Sequence, residues 1–286
     1  MKTQLMKLTM VALTGLAFLT PSAKASLTYN DGDLFLGFQA ATTATQGATT
    51  SYVIDIGSIT NFIGSGTYAG SGIHNLSISG VALDLAATYG SAWSSNATTG
   101  LMFGVIGTDY YGSVVGSGQT LFASKPETTN GVQSASPWSG ASLGAQDGVG
   151  NTILNEFGAM YGSQNPTANN PAGTIQTNSV ATQGDWAYYM PSATVTSTFG
   201  YFGGTIEAVL TGAANVVDLY QLNVDGGAGT LLGAFRITSN GTIQFSQNVS
   251  NFSSVPEPST YALFGGGLIA LVLLRRAYRK KDQVTA

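Results

Sequence analysis

The strongest constraint on the fold is the alternation of apolar and polar residues across residues 216–246, VVDLYQLNVDGGAGTLLGAFRITSNGTIQFS. Two turn sequences interrupt it, Asp225-Gly226-Gly227 and Asn240-Gly241, and their residues tolerate the positive φ that tight hairpin turns demand. Because side chains alternate between the two faces of a strand, every second residue belongs to one face. The segment therefore predicts an antiparallel meander. The side chains expected to face one core are those of Leu219, Leu222, Leu232, Phe235, Ile237 and Ile243.

The rest of the chain shows short runs rich in Val, Ile, Thr, Tyr and Phe between Gly, Asn and Ser residues. This spacing indicates an all-β fold, either an antiparallel sandwich or a barrel-like body, rather than βαβ units. Residues 126–185 are predicted to be mainly long surface loops, and for residues 153–161 a short helix and irregular structure are equal alternatives. The further predicted strands are Asp33–Ala40, Ser51–Ile56, Leu76–Leu85, Leu101–Gly107, Thr120–Ser124, Trp186–Met190, Ala193–Phe202 and Gly204–Leu210.

The N-terminus has the order of features found in secretory signal peptides. Two lysines precede the apolar run at residues 8–19, and Ala23 and Ala25 supply the small residues that signal peptidase accepts. The sequence therefore predicts a signal peptide at residues 1–25, cleaved before Ser26. The all-β body is then expected at residues 26–245, followed by a compositional linker at residues 246–254.

The charge of this body excludes one class of function. Residues 26–254 contain twelve acidic residues but only two basic ones, Lys125 and Arg236, which gives a net charge of −10. A region with so few cations has no footprint for phosphate backbones, so nucleic-acid binding is not expected. The chain also lacks cysteine, which excludes disulfides and thiol chemistry.

No catalytic constellation is evident in the sequence. The single histidine, His74, lies in SGIHNLSIS, and no G-x-S-x-G motif nominates a serine nucleophile for it. Paired carboxylates could hydrolyse glycosidic bonds, but no spacing distinguishes an acid from a nucleophile. We therefore predict no catalytic residues and no cofactor, and expect mostly solvated positions for the candidate carboxylates, which are Asp31, Asp33, Asp55, Glu156, Glu207 and Asp218.

Two short segments resemble pieces of calcium-binding loops, residues 30–33 (NDGD) and residues 223–226 (NVDG). Neither has the run of oxygen ligands that an EF-hand loop supplies. A polar turn is the favoured interpretation of both, and no metal site is predicted.

The three tryptophans allow two interpretations. Trp93, Trp138 and Trp186 could stack on sugars, or they could belong to the core. Trp138, in the loop sequence PWS, is the best candidate for an exposed ring, although burial is favoured even there.

The C-terminal segment combines three features. Residues 255–260 (VPEPST) contain two prolines that stop regular structure, and residues 261–274 carry no charge. As a helix this run would be about 21 Å long, short against a hydrocarbon core of about 30 Å. A transmembrane helix is nevertheless favoured, with its C-terminal end in the cytoplasm, because five cations follow the run: Arg275, Arg276, Arg279, Lys280 and Lys281.

The succession Val255-Pro256-Glu257-Pro258-Ser259, hydrophobic run and basic end resembles the PEP-CTERM sorting signal of Gram-negative bacteria, also called the ice-binding protein C-terminal domain. The resemblance implies that exosortase, a membrane-embedded cysteine protease, recognises Pro256, Glu257 and Pro258 and cuts nearby. It also implies that residues 261–274 are a transient anchor and residues 275–281 a stop-transfer cluster. The body would then reach the cell surface or the extracellular matrix.

The sequence therefore predicts a non-enzymatic exported protein that acts through adhesion or association with polysaccharide. Its expected partners are an exosortase-type protease, signal peptidase, the bacterial membrane through the C-terminal helix, and exopolysaccharide. One alternative is a carbohydrate-binding module that stacks sugars on Trp or Tyr. The other is a secreted hydrolase with two carboxyl groups about 5 to 9 Å apart in one cleft.

Overall fold

The computed structural model describes residues 27–40, 49–95, 100–116, 118–134, 138, 143–177, 182–189, 206–211, 215–222 and 227–253. The predicted signal peptide and the predicted sorting segment lie outside these residues. None of the helices within them combines the length and the hydrophobicity needed to cross a bilayer. The strands are β1 Asp33–Ala40, β2 Thr50–Ser58, β3 His74–Asn75, β4 Leu101–Asp109, β5 Thr120–Pro126, β6 Gly173–Thr177, β7 Ala208–Val209, β8 Val216–Leu222, β9 Thr230–Ile237 and β10 Ile243–Ser246.

These strands form one antiparallel sheet, in the order β3-β10-β9-β8-β5-β4-β1-β2-β6, and β7 pairs with β4. The sheet is curled into a half-barrel, so it resembles the predicted barrel-like body more than a sandwich of two sheets. Phe62, just after β2, shows the curl, because its ring packs against Phe235 and Phe245 from the other end of the sheet.

Apolar side chains cover both faces of the sheet. The larger cluster fills the inside of the curl and includes residues of helix α1, Val81–Tyr89. The outer face is covered by a continuous helical segment made of α2 Leu143–Thr152, a π-helix at Ile153–Phe157 and α3 Gly158–Ser163. Short 3-10 helices lie at Ile59–Asn61, Trp186–Tyr189 and Val249–Phe252.

Three sequence predictions about these elements are wrong. The strand predicted at Leu76–Leu85 is largely helix α1, whose residues Val81, Leu85 and Tyr89 recur at the spacing of one helix face. The strand predicted at Trp186–Met190 begins with a 3-10 helix, and residues 143–163 are helical rather than loop. The helical alternative for residues 153–161 is thus confirmed, whereas the predicted strand 193–202 lies outside the described residues.

The predicted meander is present, but one of its six predicted core residues lies on the other face of the sheet. Leu219, Phe235, Ile237 and Ile243 lie in the inner cluster, and Leu232 packs against it, but Leu222 belongs to the outer cluster. Leu222 lies three residues after Leu219, so regular alternation along β8 places these two side chains on opposite faces. The β-bulge at this point lies in β9, where its extra residue Leu232 allows Leu232 and Phe235, three residues apart, to share the inner face.

Candidate functional site at the root of the C-terminal segment

The last described residues, 247–253, pack against the body instead of forming the predicted linker. Asn248 caps the 3-10 helix, and its side-chain oxygen accepts a hydrogen bond from the Ser250 N–H at 3.2 Å. Phe252 is fully buried against Val216 and Ala234 on the outer face of the sheet. We call residues 247–253 the root, because they directly precede the C-terminal segment in the sequence.

Gly131 holds the end of the root. A Cβ atom at Gly131 would lie 2.3 Å from the backbone nitrogen of Ser253, and the φ of Gly131 is +78°. Both the close approach and the left-handed conformation require glycine at this position. The loop of residues 127–134, which carries Gly131, therefore forms the surface on which Ser253 rests.

Two buried carboxyl groups hold this loop. The Glu127 Oε2 atom accepts a hydrogen bond from the Gly131 N–H at 2.6 Å. Asp218, in the middle of β8, accepts hydrogen bonds through Oδ2 from the N–H and the hydroxyl of Ser134, each at 2.6 Å. The loop is thus fixed near both ends by carboxylate oxygens.

The same two carboxyl groups interact with each other. Glu127 is 3% exposed and Asp218 is 0% exposed, and each has one oxygen without another partner, Oε1 of Glu127 and Oδ1 of Asp218. Burial, followed by the hydrogen bond and the charge of Asp218, raises the pKa of Glu127 to about 8. At neutral pH the pair therefore holds a shared proton.

The favoured interpretation of Trp138 as a buried residue is confirmed. Its side chain is 4% exposed, its Nε1 donates to the Ser124 carbonyl at 2.8 Å, and the Lys125 ammonium lies 4.6 Å from the ring centroid. Trp93 and Trp186 are buried as well. The three tryptophans are core residues and cannot form a sugar-binding face.

The other candidate carboxylates occupy structural positions. Asp31 accepts hydrogen bonds from the Tyr110 and Tyr111 N–H groups, and Asp33 accepts two from Asn30, so residues 30–33 form a polar turn. Residues 223–226 lie outside the described residues. Within the described part of the chain, no group of three or more histidine or acidic residues could hold a metal ion.

Two further carboxylates lie away from solvent, Glu207 buried and Asp55 half-buried. Glu207 accepts hydrogen bonds from Trp186 Nε1 at 3.0 Å and from Gln39 Nε2 at 2.7 Å, and burial raises its pKa to about 7. Asp55 accepts from the Gly57 N–H, and burial, followed by the charge of Asp33, raises its pKa to about 7. Glu156 lies in the π-helix.

Neither His74 nor the described pocket assembles catalytic groups. His74 lies in β3, and its buried Nε2 atom has no hydrogen-bond partner. A pocket of about 210 Å³ lies between the start of α1 and the β9–β10 turn, but no charged side chain lines it. Its lining residues include Leu76, Ile78, Val81, Asn240 and Thr242.

Sequence reasoning did not single out Glu127. Its partner Asp218 lies far away in the sequence, and the register of β5 with β8 brings the two together. The only local signal was an acidic residue at a strand end, four residues before a glycine. Such a signal carries no information about a partner on another strand.

Residues 254–279 match the family model of the PEP-CTERM protein-sorting motif. The match begins directly after Ser253, where the packed root ends. No curated protein and no solved structure matches the chain significantly.

Proposed function

We propose that this chain is a non-enzymatic exported protein whose C-terminal segment holds the body at the membrane until an exosortase-type protease cuts near Pro256-Glu257-Pro258. The observation that carries the proposal is the sorting motif at residues 254–279, which implies export and sorting by exosortase. The root supports the proposal, because the body ends in a packed, capped element immediately before the motif. The motif is therefore presented from a defined place on the body.

The short segment between the root and the uncharged run limits how the body can be oriented at the membrane. Seven residues, 254–260, separate the root from the uncharged run, and they span at most about 25 Å when fully extended. A domain of this length has a radius of gyration of about 17 Å, so its far side lies farther from the root than this tether reaches. Before cleavage, the face that bears the root is the one next to the membrane.

The buried carboxylates support a non-enzymatic body. Glu127, Asp218 and Glu207 are almost fully buried and hold protein groups, so their positions suit structural roles. We propose that the body acts at the cell surface or in the matrix through adhesion or association with exopolysaccharide. A host strain that makes no exopolysaccharide tests this role, because the mature body should then move from the matrix fraction into the medium.

Replacement of Glu257 by Ala in a host that carries an exosortase tests the sorting proposal. Wild-type protein should yield a C-terminally shortened form outside the membrane, whereas E257A should accumulate at full length in the membrane fraction. D282A removes an acidic residue just outside the matched motif and should be processed like wild type. Equal processing of all three proteins would contradict the proposal.

A further inference from the structure

We propose that the Glu127–Asp218 carboxyl pair is a proton-dependent latch that holds the root of the C-terminal segment when the pair shares a proton and releases it when both groups are ionised. The latch concerns a part of the body to which no role has been assigned. Only its consequence for sorting rests on the proposed function.

The first step is the conflict between two buried charges. Glu127 and Asp218 are at most 3% exposed, and Oε1 of Glu127 and Oδ1 of Asp218 are buried without a hydrogen-bond partner. Lys125 pairs with Asp218 and Pro126 with Val217, so Glu127 follows directly beside Asp218 on the neighbouring strand. A shared proton satisfies both oxygens, because one carboxylic acid then donates to the other carboxylate. Loss of that proton leaves two like charges in contact in a medium of low dielectric constant, which strongly favours their separation.

The second step identifies the group that moves. Asp218 lies in the middle of β8 and is paired on both sides, with Lys125 of β5 and Ala234 of β9. Glu127 follows the last residue of β5 and belongs to a loop. Separation therefore occurs by outward movement of Glu127, since movement of Asp218 would break the sheet.

The third step connects Glu127 to the root. Oε2 of Glu127 accepts the hydrogen bond from the Gly131 N–H at 2.6 Å, and Gly131 contacts the backbone of Ser253. When Glu127 swings away, Gly131 loses its acceptor and the loop loses one of its two attachments. Ser253 then loses the surface on which it rests, and the root is released from the loop.

Three other titratable or charged side chains surround the pair. Lys125 of β5 lies opposite Asp218, with its ammonium over Trp138, and Arg236 of β9 lies over the Phe252 ring and donates to Gln244. Tyr220 of β8 accepts a hydrogen bond from Gln133, and burial raises the pKa of Tyr220 above its ordinary value, so it stays neutral through the relevant range. Burial lowers the pKa of Lys125, so the experiment includes a variant of this residue.

The absence of cysteine from the chain makes a single spin label straightforward. The full-length protein with Ser250→Cys, an exposed position in the root, carries a nitroxide, is purified in detergent without any protease, and is titrated from pH 6 to pH 9.5. Around a midpoint near pH 8, the ionised fraction rises from about 1% to about 97% over this range. We expect an immobilised spectrum at pH 6 and a predominantly mobile one at pH 9.5.

The variants assign the transition to the pair. E127Q keeps a neutral group that donates to Asp218, so its label should stay immobilised at every pH, and K125M should keep the wild-type transition. A label at Tyr111→Cys, beyond the opposite end of β5, should not respond to pH. A pH-independent signal at residue 250, a transition that persists in E127Q, or one that disappears only in K125M would overturn the latch.

This experiment is independent of the sorting proposal. A latch in the purified protein together with normal processing of E257A would leave the latch standing and remove the proposed function. If sorting depends on Glu257 and the label at residue 250 shows no transition, the proposed function stands and the latch is removed.

Discussion

Gly37 and Trp186 show how single residues fix the outer face of the sheet. A Cβ atom at Gly37 would lie 2.1 Å from Cδ2 of Trp186, so the indole ring lies directly on the backbone of β1. The indole Nε1–H of Trp186 then donates to Glu207, which also accepts from Gln39. The position of the Trp186 ring thus depends on the absence of a side chain at Gly37 and on the buried carboxylate of Glu207.

Replacement of Gly37 by Ala should therefore destabilise the protein. The added methyl group overlaps a fully buried ring, and overpacking of this kind costs about 1–3 kcal/mol or more of the free energy of unfolding. Chemical denaturation measures this change. Gly148→Ala is the matched control, because nothing lies within 4 Å of its Cβ and alanine favours helix α2 by about 1 kcal/mol. Equal stabilities of G37A and wild type would show that Trp186 is free to move.

At this scale the sequence predicted little of the candidate site. The residue types around Trp138 favoured a loop, yet the ring is buried because Trp138 Nε1 finds the Ser124 carbonyl and the Lys125 side chain covers its face. These are contacts between the loop and a strand. Composition indicates that a tryptophan needs such contacts but not whether the fold supplies them.

The elements of the sheet were easier to predict than the helices. The predicted bounds of β1 are those of the structure, because its short apolar run bounded by turn residues fits a strand buried on both faces. Helix α1 was mistaken for a strand because the preceding residues, LSISG, alternate between apolar and polar. Contacts formed only in the fold stabilise this helix, such as the hydrogen bonds that its Asp84 accepts from Tyr52 and Thr167.

The 3-10 helix Val249–Phe252 provides a prediction at the scale of an element. Phe252→Ala removes the one fully buried side chain of the helix, and burial of such a ring stabilises by about 3–5 kcal/mol. We expect detachment of the root with little change in the melting temperature of the sheet, because the root is an end that can unfold locally. Hydrogen exchange at residues 247–253 should accelerate at least tenfold.

Phe252→Leu is the control for this variant, because leucine keeps most of the apolar volume and should retain most of the protection. If F252A instead lowers the melting temperature as much as G37A does, the root and the sheet unfold as one unit. The prediction that the root unfolds independently of the sheet would then be wrong.

At the scale of the whole molecule, one curled sheet is stabilised by apolar layers on both faces, without disulfides. The sequence predicted the β class and the antiparallel meander. It did not predict that residues 143–163 cover the outer face, because helices α2 and α3 are rich in glycine and polar residues and show a weak apolar stripe. Their position is set by Phe157 and Tyr161 packing against Phe35.

The acidic body makes a prediction about pH. Burial raises the folded-state pKa of Asp55 and Glu207 to about 7 and that of Glu127 to about 8, all above their ordinary values. A raised pKa means that folding favours the protonated form, so this stabilisation is complete below about pH 4 and is lost as the pH rises through 7 to 8. The melting temperature should therefore fall by roughly 5–10 °C between pH 5 and pH 8.5.

Salt and substitution separate the causes of this fall. General repulsion among the twelve acidic residues of the body is screened by 0.5 M NaCl, whereas the desolvation of buried carboxylates is not. The fall should therefore persist in high salt and become smaller in E127Q, which cannot ionise at this position. A melting temperature that rises from pH 5 to pH 8.5 would mean that these carboxyl groups are already ionised in the folded protein, and the shared proton between Glu127 and Asp218 would have to be abandoned.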